Sequence, residues 1–205
     1  MLRIYLARHG QDEDNAKGIL NGRRDTPLTK LGMAQAERLA ANIKTQGIPF
    51  DAIYASPLVR ARRTAEIIAE GLGAKAPVVL DDLTERDFGV MTGKRVQDIE
   101  KLCTPDIIKA DPVVYFINPQ GAETFPEEME RSRKVIYWVK EKHAEGNVLL
   151  VGHGDMGKML YAAYYGLPWE RVLSMFHFGN SELLLLAEDS PAEKTHVFAI
   201  KQHNH

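Results

Sequence analysis

The chain has 205 residues, 44% of them hydrophobic and 26% charged, which is the composition of a globular protein long enough to bury a sizeable core. Its formal net charge of −2 excludes an overall basic field that would attract nucleic acid or an anionic membrane, so anion recognition must rely on a local cluster of cations. The single cysteine, Cys103, excludes an internal disulfide, and no apolar run approaches the roughly 20 residues of a membrane span. These features predict a cytoplasmic protein that binds neither nucleic acid nor a membrane.

Apolar runs alternate with amphipathic stretches along the whole chain, without a repeat or a linker. This alternation predicts an α/β protein, a three-layer αβα sandwich with a mostly parallel central sheet. The predicted elements, in chain order, are a strand at 2–7, a polar loop at 10–27, a helix at 30–45, a strand at 51–56, a helix that begins at Pro57, a strand at 77–80, a short helix near 94–103, a loose segment at 104–123, a helix at 125–145, a strand at 147–152, a helix at 155–165, and strands near 172–178, 182–187 and 195–200. The last five residues, 201–205, are predicted to be a disordered tail.

Unusual polar side chains follow four of the predicted strands. The first strand ends on Arg8 and His9, Arg60 follows the second, Glu85 follows the third, and His153 follows the strand at 147–152. Ligands of open α/β sheets gather beyond the carboxyl ends of the strands, so we expect these side chains to share one pocket.

This set of residue types suits phosphoryl transfer. A neutral histidine can attack phosphorus and form a covalent intermediate, and arginines can bind the equatorial oxygens of the phosphoryl group. Arg8 and Arg60 are the candidate arginines, and a protonated His153 would be a third donor. Gly10 and Gly154 would let the backbone approach the anion, and the helix that follows Gly154 would direct its N-terminus at it.

The leaving alkoxide of such a reaction needs a proton, and Glu85 is the available acid. Glu85 must be protonated for this step, so burial must outweigh the nearby arginines, which would lower its pKa. The alternative for the two histidines is a metal site completed by Glu85 or Asp155. No H-x-x-x-H or C-x-x-C spacing supports that alternative, so we expect no metal.

Taken together, these motifs resemble the histidine phosphatase superfamily, which includes cofactor-dependent phosphoglycerate mutase and fructose-2,6-bisphosphatase. The resemblance covers nearly the whole chain. The motifs that carry it are "LARHGQDEDN" (6–15), "DTPLTKLGMAQA" (25–36), "YASPLVRARRTAE" (54–66), "LTERDFGVMTG" (83–93) and "LLVGHGDM" (149–156).

The resemblance implies one histidine phosphatase-like domain over residues 1–205 that needs no metal or organic cofactor. His9 would be the phosphorylated nucleophile, and Glu85 falls where many members keep the acid that protonates the leaving group. Asn180 and Gln11 are candidates for the border of the pocket. Binding of the phosphoryl group is assigned to Arg8, Asn15, Arg60 and His153, with Gly154 beside them.

Two departures from the mutase pattern favour a phosphatase. Mutases typically follow R-H-G with Glu and a small hydroxyl residue, whereas Gln11 and Asp12 stand there in this chain. Mutases also carry paired arginines in an insertion after the acid, whereas this chain has no arginine between Arg95 and Arg131. The acidic run at 12–14 is interpreted as a solvated loop; facing the pocket, it would disfavour substrates with several negative charges.

We therefore predict a metal-independent phosphomonoesterase that acts on a small phosphorylated metabolite through a phosphohistidine on His9. The alternatives are a phosphoglycerate mutase and a catalytically idle module that binds a phosphorylated ligand. A homo-oligomer is compatible with exposed sheet edges, although nothing in the sequence marks one.

Residues 104–126 are predicted to form a lid over the pocket. This segment is unusually apolar for a loop, with Ile107, Ile108, Val113, Val114, Tyr115, Phe116 and Ile117. It is interpreted either as an apolar wall that selects the leaving group or as a plug that seals the edge of the sheet.

Overall fold

This computed structural model describes residues 1–192 and 196–198. The described part contains fifteen helices and strands and three short 3₁₀ turns. The predicted tail at 201–205 lies outside the described residues. The elements are β1 (Leu2–Arg8), α1 (Glu13–Lys17), α2 (Lys30–Thr45), β2 (Ala52–Ala55), α3 (Val59–Leu72), β3 (Val78–Val79), α4 (Ile99–Cys103), β4 (Ile107–Ala110), β5 (Val113–Phe116), α5 (Phe125–Lys142), β6 (Gly146–Gly152), α6 (Gly154–Tyr165), α7 (Trp169–Met175), β7 (Leu183–Leu186) and β8 (His196–Phe198).

The central sheet has six strands in the order β3-β2-β6-β1-β7-β8. The four strands from β3 to β1 are parallel, and β7 and β8 are antiparallel to their neighbours. Helices cover both faces, which confirms the predicted α/β fold with a mostly parallel sheet. None of the helices in the described part of the chain combines the length and apolar character needed to span a membrane.

The middle residues of the two central strands, β1 and β6, are apolar because each face of these strands contacts a helical layer. In β1, Ile4 and Leu6 pack with α5 and α6, whereas Tyr5 and Ala7 pack with α2 and α3. Residues of β6 alternate in the same way. Arg8 pairs with Gly152 at the carboxyl ends of these strands, so the two His-Gly motifs emerge side by side.

The prediction of a strand near 172–178 was wrong, because Trp169–Met175 is the helix α7. The apolar run of this segment suggested a strand, yet Val172 and Leu173 are buried on one side of a short helix. The ammonium group of Lys158, on α6, donates hydrogen bonds to three carbonyls at the end of this helix. A contact with a distant lysine, invisible to local pattern analysis, therefore stabilises the helical form.

The segment predicted as loose contains the hairpin β4–β5, which is packed on both faces. One face joins the core beneath α5 and α6 through Ile108, Val113 and Tyr115. The other face packs Val114 and Phe116 against a smaller cluster around Phe88, Met91 and Ile99. The predicted polar loop at 10–27 likewise contains a short helix, α1, which Asp12 caps.

The loop that carries His9 rests directly on the beginning of α2. A side chain on Gly10 would overlap the backbone of Gly32, and a side chain on Gly32 would overlap the backbone of Gln11. Only glycine therefore permits this approach, which fixes the loop against the helix.

Candidate active site

His9 lies at the end of β1 with its imidazole oriented by one backbone contact. Nδ1 is 2.7 Å from the carbonyl oxygen of Gly10, which can only accept, so the imidazole proton resides on Nδ1. Burial, followed by the charges of Arg60 and Arg8, holds the pKa of His9 well below its usual range. The ring is therefore neutral, and Nε2 presents a lone pair, as nucleophilic attack requires.

Arg60 directs its guanidinium at this lone pair from α3. Its Nε lies 3.3 Å from Nε2 of His9, and its terminal nitrogens donate to the carbonyls of Arg24 (2.6 Å) and Gly22 (2.7 Å). The side chain is completely buried. A run such as "RARR" ordinarily forms a solvated helix face, but Arg60 occupies the buried side of α3 beside Ala61 and Thr64.

Two polar atoms beside His9 are buried and have no hydrogen-bond partner among residues 1–192 and 196–198. They are Nε of Arg8 and Nδ1 of His153. The rings of His9 and His153 are 5.2 Å apart between centroids, and the guanidinium of Arg8 lies against Gly154. Buried donors without partners are energetically costly, so Arg8 and His153 form a candidate anion-binding site, which we call the phosphoryl seat.

Ser56, at the end of β2, orients His153. Its hydroxyl is 2.7 Å from Nε2 of His153 and accepts a hydrogen bond from the amide of Leu58 (3.3 Å). We assign the hydroxyl hydrogen to Nε2, which leaves the imidazole proton on the unpartnered Nδ1. Burial and the charge of Arg60 hold the pKa of His153 well below its usual range, so it is a neutral donor and the prediction of a protonated His153 was wrong. Sequence reasoning missed this residue, although its place at the end of a strand was a usable signal.

Replacing Ser56 with alanine is expected to raise the KM for a phosphomonoester about tenfold, because His153 loses the contact that holds its donor toward the anion. The measurement is steady-state kinetics with p-nitrophenyl phosphate. Ser174→Ala, on the exposed surface of α7, is the matched control and should leave both kinetic constants unchanged. An unchanged KM in Ser56→Ala would show that this contact does not position His153.

Glu85 is buried at the amino end of α6, where its carboxylate accepts hydrogen bonds from backbone amides. Its Oε2 accepts from Gly154 (3.1 Å) and Asp155 (3.4 Å), and its Oε1 accepts from Met156 (3.1 Å) and Arg86 (3.0 Å). Burial and the charge of Asp155 raise the pKa of Glu85, against the opposing effect of the amides and Arg60. The carboxyl group can therefore retain a proton at a higher pH than an ordinary glutamate.

The interpretation of residues 12–14 as a solvated loop was wrong for two of the three side chains. Asp12 is completely buried; it accepts from Asn21 (2.6 Å) and lies 3.4 Å from Nε of Arg60. Asp14 is also buried and pairs with Arg24. Pairing of Asp12 with Arg60 of α3 and of Asp14 with Arg24 explains the burial. None of the residues 12–14 lines the cavity next to His9.

Asn180 and Asn15 stand together beside His9. The amide of Asn180 donates to the carbonyl of His9 (3.0 Å) and to Oδ1 of Asn15 (3.2 Å). Gln11 lies on the other side of the loop, where its side chain accepts from the hydroxyl of Thr29 (2.9 Å). The structure thus places both asparagines at the site and directs Gln11 toward α2.

A cavity of about 460 Å³ opens from this group of side chains. Its wall at the end next to His9 consists of Arg8, Asn15, Glu85, Gly154 and Asn180. Residues 112–116 of the hairpin form part of the remaining wall. Arg8 and Glu85 thus line one end of a cavity that admits a small molecule, whereas His9, Arg60 and His153 are buried beside it and are not among its lining residues.

A model of the histidine phosphatase superfamily (branch 1) matches residues 4–197, so the chain belongs to this superfamily, as the motifs predicted. A 2,3-bisphosphoglycerate-dependent phosphoglycerate mutase of Methylobacterium is 34% identical over 82% of this chain and 83% of its own. A putative phosphoserine phosphatase 2 of Hydrogenobacter thermophilus is 34% identical over 93% of both chains.

The fold agrees with these sequence relationships. A mycobacterial glucosyl-3-phosphoglycerate phosphatase superimposes with a TM-score of 0.75 at 25% identity, covering 89% of this chain and 88% of its own. Mutases and phosphatases both stand among the relatives. Together they support a phosphoric monoester hydrolase of the histidine phosphatase type.

Proposed function

We propose that the protein is a metal-independent phosphomonoesterase that hydrolyses a small phosphorylated metabolite through a phosphohistidine on His9. The observation that carries this proposal is the neutral imidazole of His9 next to two buried side chains, Arg8 and His153, each of which keeps one nitrogen without a partner in the described part of the chain. Arg8 and Arg60 supply the positive charge that the phosphoryl oxygens require.

In the first step, Nε2 of His9 attacks phosphorus and the bond between phosphorus and the leaving oxygen breaks. Glu85 transfers its proton to that oxygen, so an alcohol leaves. Arg8, Arg60 and His153 hold the phosphoryl oxygens while charge builds up on them.

In the second step, a water molecule attacks the phosphohistidine. The carboxylate of Glu85 takes a proton from the water, the nitrogen–phosphorus bond breaks, and inorganic phosphate leaves. The amide of Gly154 donates a hydrogen bond to Glu85 in the free site. Gly154 is also one of the residues proposed to hold the phosphoryl oxygens. Glu85 therefore loses a stabilising amide when the phosphoryl group binds, which favours its protonated form.

A phosphoglycerate mutase is the second candidate, because several relatives at about one-third identity carry that name. A mutase must retain the phosphorylated product until the phosphoryl group returns to it. This chain has no arginine between Arg95 and Arg131 to hold the second anionic group. We therefore favour hydrolysis over mutase activity as the function of this protein.

The two functions are separated by incubating the protein, in the presence of EDTA, with 3-phosphoglycerate and a trace of 2,3-bisphosphoglycerate. Release of inorganic phosphate and formation of 2-phosphoglycerate are followed together, and a panel of other phosphomonoesters is assayed in parallel. If the protein is a phosphomonoesterase, release of inorganic phosphate should exceed interconversion of phosphorylated isomers with every substrate. Interconversion faster than phosphate release would establish the mutase, and a strict requirement for added metal would contradict the proposed mechanism.

A further inference from the structure

The cavity beyond the phosphoryl seat has a mainly apolar wall. Its apolar residues come from the hairpin and from the loops that face it, and they include Phe88, Val113, Val114, Tyr115, Phe116 and Phe178. The hairpin is packed on both faces, so this wall has a fixed shape. An apolar surface of fixed shape favours an apolar group on the ligand.

Arg86 lines the same cavity, but its charge is already compensated. Its Nε donates to Asp155 (2.9 Å), and further nitrogens lie 3.3 Å and 3.4 Å from the carbonyls of Glu123 and Phe116. Three phenylalanine rings surround its guanidinium, at 4.2 to 5.0 Å between the guanidinium carbon and the ring centroids. A substrate anion at Arg86 would therefore compete with Asp155 for a charge that is already paired.

Lys158 is engaged in the same way. It is buried, and it donates to the carbonyls of Leu173 (2.7 Å) and Val172 (3.3 Å) at the end of α7. Burial lowers the pKa of Lys158 to about 8. The ammonium group of Lys158 therefore stabilises the end of α7, and binding a substrate anion would leave the carbonyls of α7 without a donor.

The remaining lysine and arginine of the wall, outside the phosphoryl seat, are Lys17 and Arg95, and both are exposed to solvent. Exposed charges are screened and attract an anion only weakly. His177 also lines the wall. The acidic residues of the same wall, Asp155 and Glu85, add no positive charge that a second anionic group could bind.

We propose that the enzyme selects phosphomonoesters whose leaving group is uncharged and apolar, with the hairpin β4–β5 as the selecting wall. This inference rests on the proposed phosphatase function. It identifies the substrate class by chemistry: one phosphoryl group joined to an apolar alcohol, rather than a phosphorylated carboxylic acid or a bisphosphate.

The test is a series of n-alkyl phosphates from ethyl to hexyl, each paired with an analogue of the same length that ends in a carboxylate. The value of kcat/KM is expected to rise about three- to fourfold for each methylene group that enters the apolar cavity. Each terminal carboxylate is expected to lower kcat/KM at least about tenfold, because a charge is desolvated without a partner. A flat series, or faster turnover of the carboxylate analogues, would overturn the inference.

A variant of the wall links the preference to the hairpin. Val114→Asn replaces an apolar side chain of the wall with a polar one of similar size and should reduce the gain per methylene group by about half or more. Val79→Asn, on the exposed strand β3, is the matched control and should keep the full gain. An unchanged gain in both variants would also overturn the role of the hairpin.

Failure of this inference is distinguishable from failure of the proposed function. If the alkyl series is flat while p-nitrophenyl phosphate is still hydrolysed in a reaction that depends on His9, only the substrate class is wrong. If neither the two series nor p-nitrophenyl phosphate is hydrolysed, the proposed function itself is wrong.

Discussion

Replacing His9 with alanine is expected to lower kcat for p-nitrophenyl phosphate by about 10⁴-fold or more, because the covalent route then has no nucleophile. The arginines and His153 remain, so phosphate and vanadate should still bind. The measurement is phosphate release with saturating substrate in the presence of EDTA, with circular dichroism to verify folding. Loss of turnover with retained anion binding would show that His9 reacts with phosphorus while the other residues bind the anion.

The matched control is His143→Ala. His143 is a partly buried histidine whose Nε2 contacts the hydroxyl of Tyr54 (2.9 Å) at the end of α5, away from the cavity. Its replacement should leave kcat within about twofold, as expected for residues distant from the reacting groups. Full activity in His9→Ala would contradict the role of His9 as nucleophile.

Glu85→Gln is expected to affect substrates according to how strongly their leaving group needs a proton. With an alkyl phosphate, kcat should fall by about 10²- to 10⁴-fold, the usual contribution of a general acid. With p-nitrophenyl phosphate the loss should be smaller than about tenfold, because p-nitrophenolate leaves without a proton. The ratio of the two losses is the informative quantity, since it does not depend on the fraction of folded enzyme.

The glutamine substitution also places an amide NH₂ group among backbone amides that donate to Glu85 at the start of α6. We therefore expect a loss of stability of about 1–3 kcal/mol, measured by urea denaturation. Glu130→Gln, at an exposed position of α5, is the matched control for both stability and kinetics. Equal losses with the two substrates would contradict the assignment of Glu85 as the acid.

The pH dependence has a defined sign. Burial raises the pKa of Glu85, and the first step needs its protonated form, so kcat/KM for an alkyl phosphate should decline as pH rises through that pKa. Burial also raises the pKa of Glu128, and its charge interacts with Glu85, so the two carboxyls titrate as a pair. Because the folded state retains these protons longer, the same groups reduce stability as pH rises above the ordinary pKa of glutamate.

The strands that position the site could be predicted because their two faces are both buried. A strand covered on both sides has a continuous apolar sequence, and both β1 and β6 end in an abrupt change to Arg8-His9 and His153. Their parallel pairing then places these side chains next to each other. Arg60 could be placed near them from its position after the next strand.

The features that could not be predicted depend on contacts between distant parts of the chain. The helix α7 is stabilised by Lys158, the hairpin β4–β5 by its packing between two clusters, and the burial of Asp12 by Arg60 and Asn21. None of these contacts leaves a local periodic pattern. Charged and short polar segments therefore looked solvated until their partners in the fold were known.

Transfer of the phosphoryl group through His9 is tested most directly by mapping the phosphorylated residue. The protein is mixed with p-nitrophenyl phosphate in EDTA, quenched within milliseconds at alkaline pH, where phosphohistidine survives, and analysed by tandem mass spectrometry. We expect one added phosphoryl group on His9 that forms faster than inorganic phosphate is released and is absent in His9→Ala. Hydrolysis that proceeds at full rate without this adduct would contradict the mechanism, and tight phosphate binding with neither adduct nor hydrolysis would identify a binding module instead.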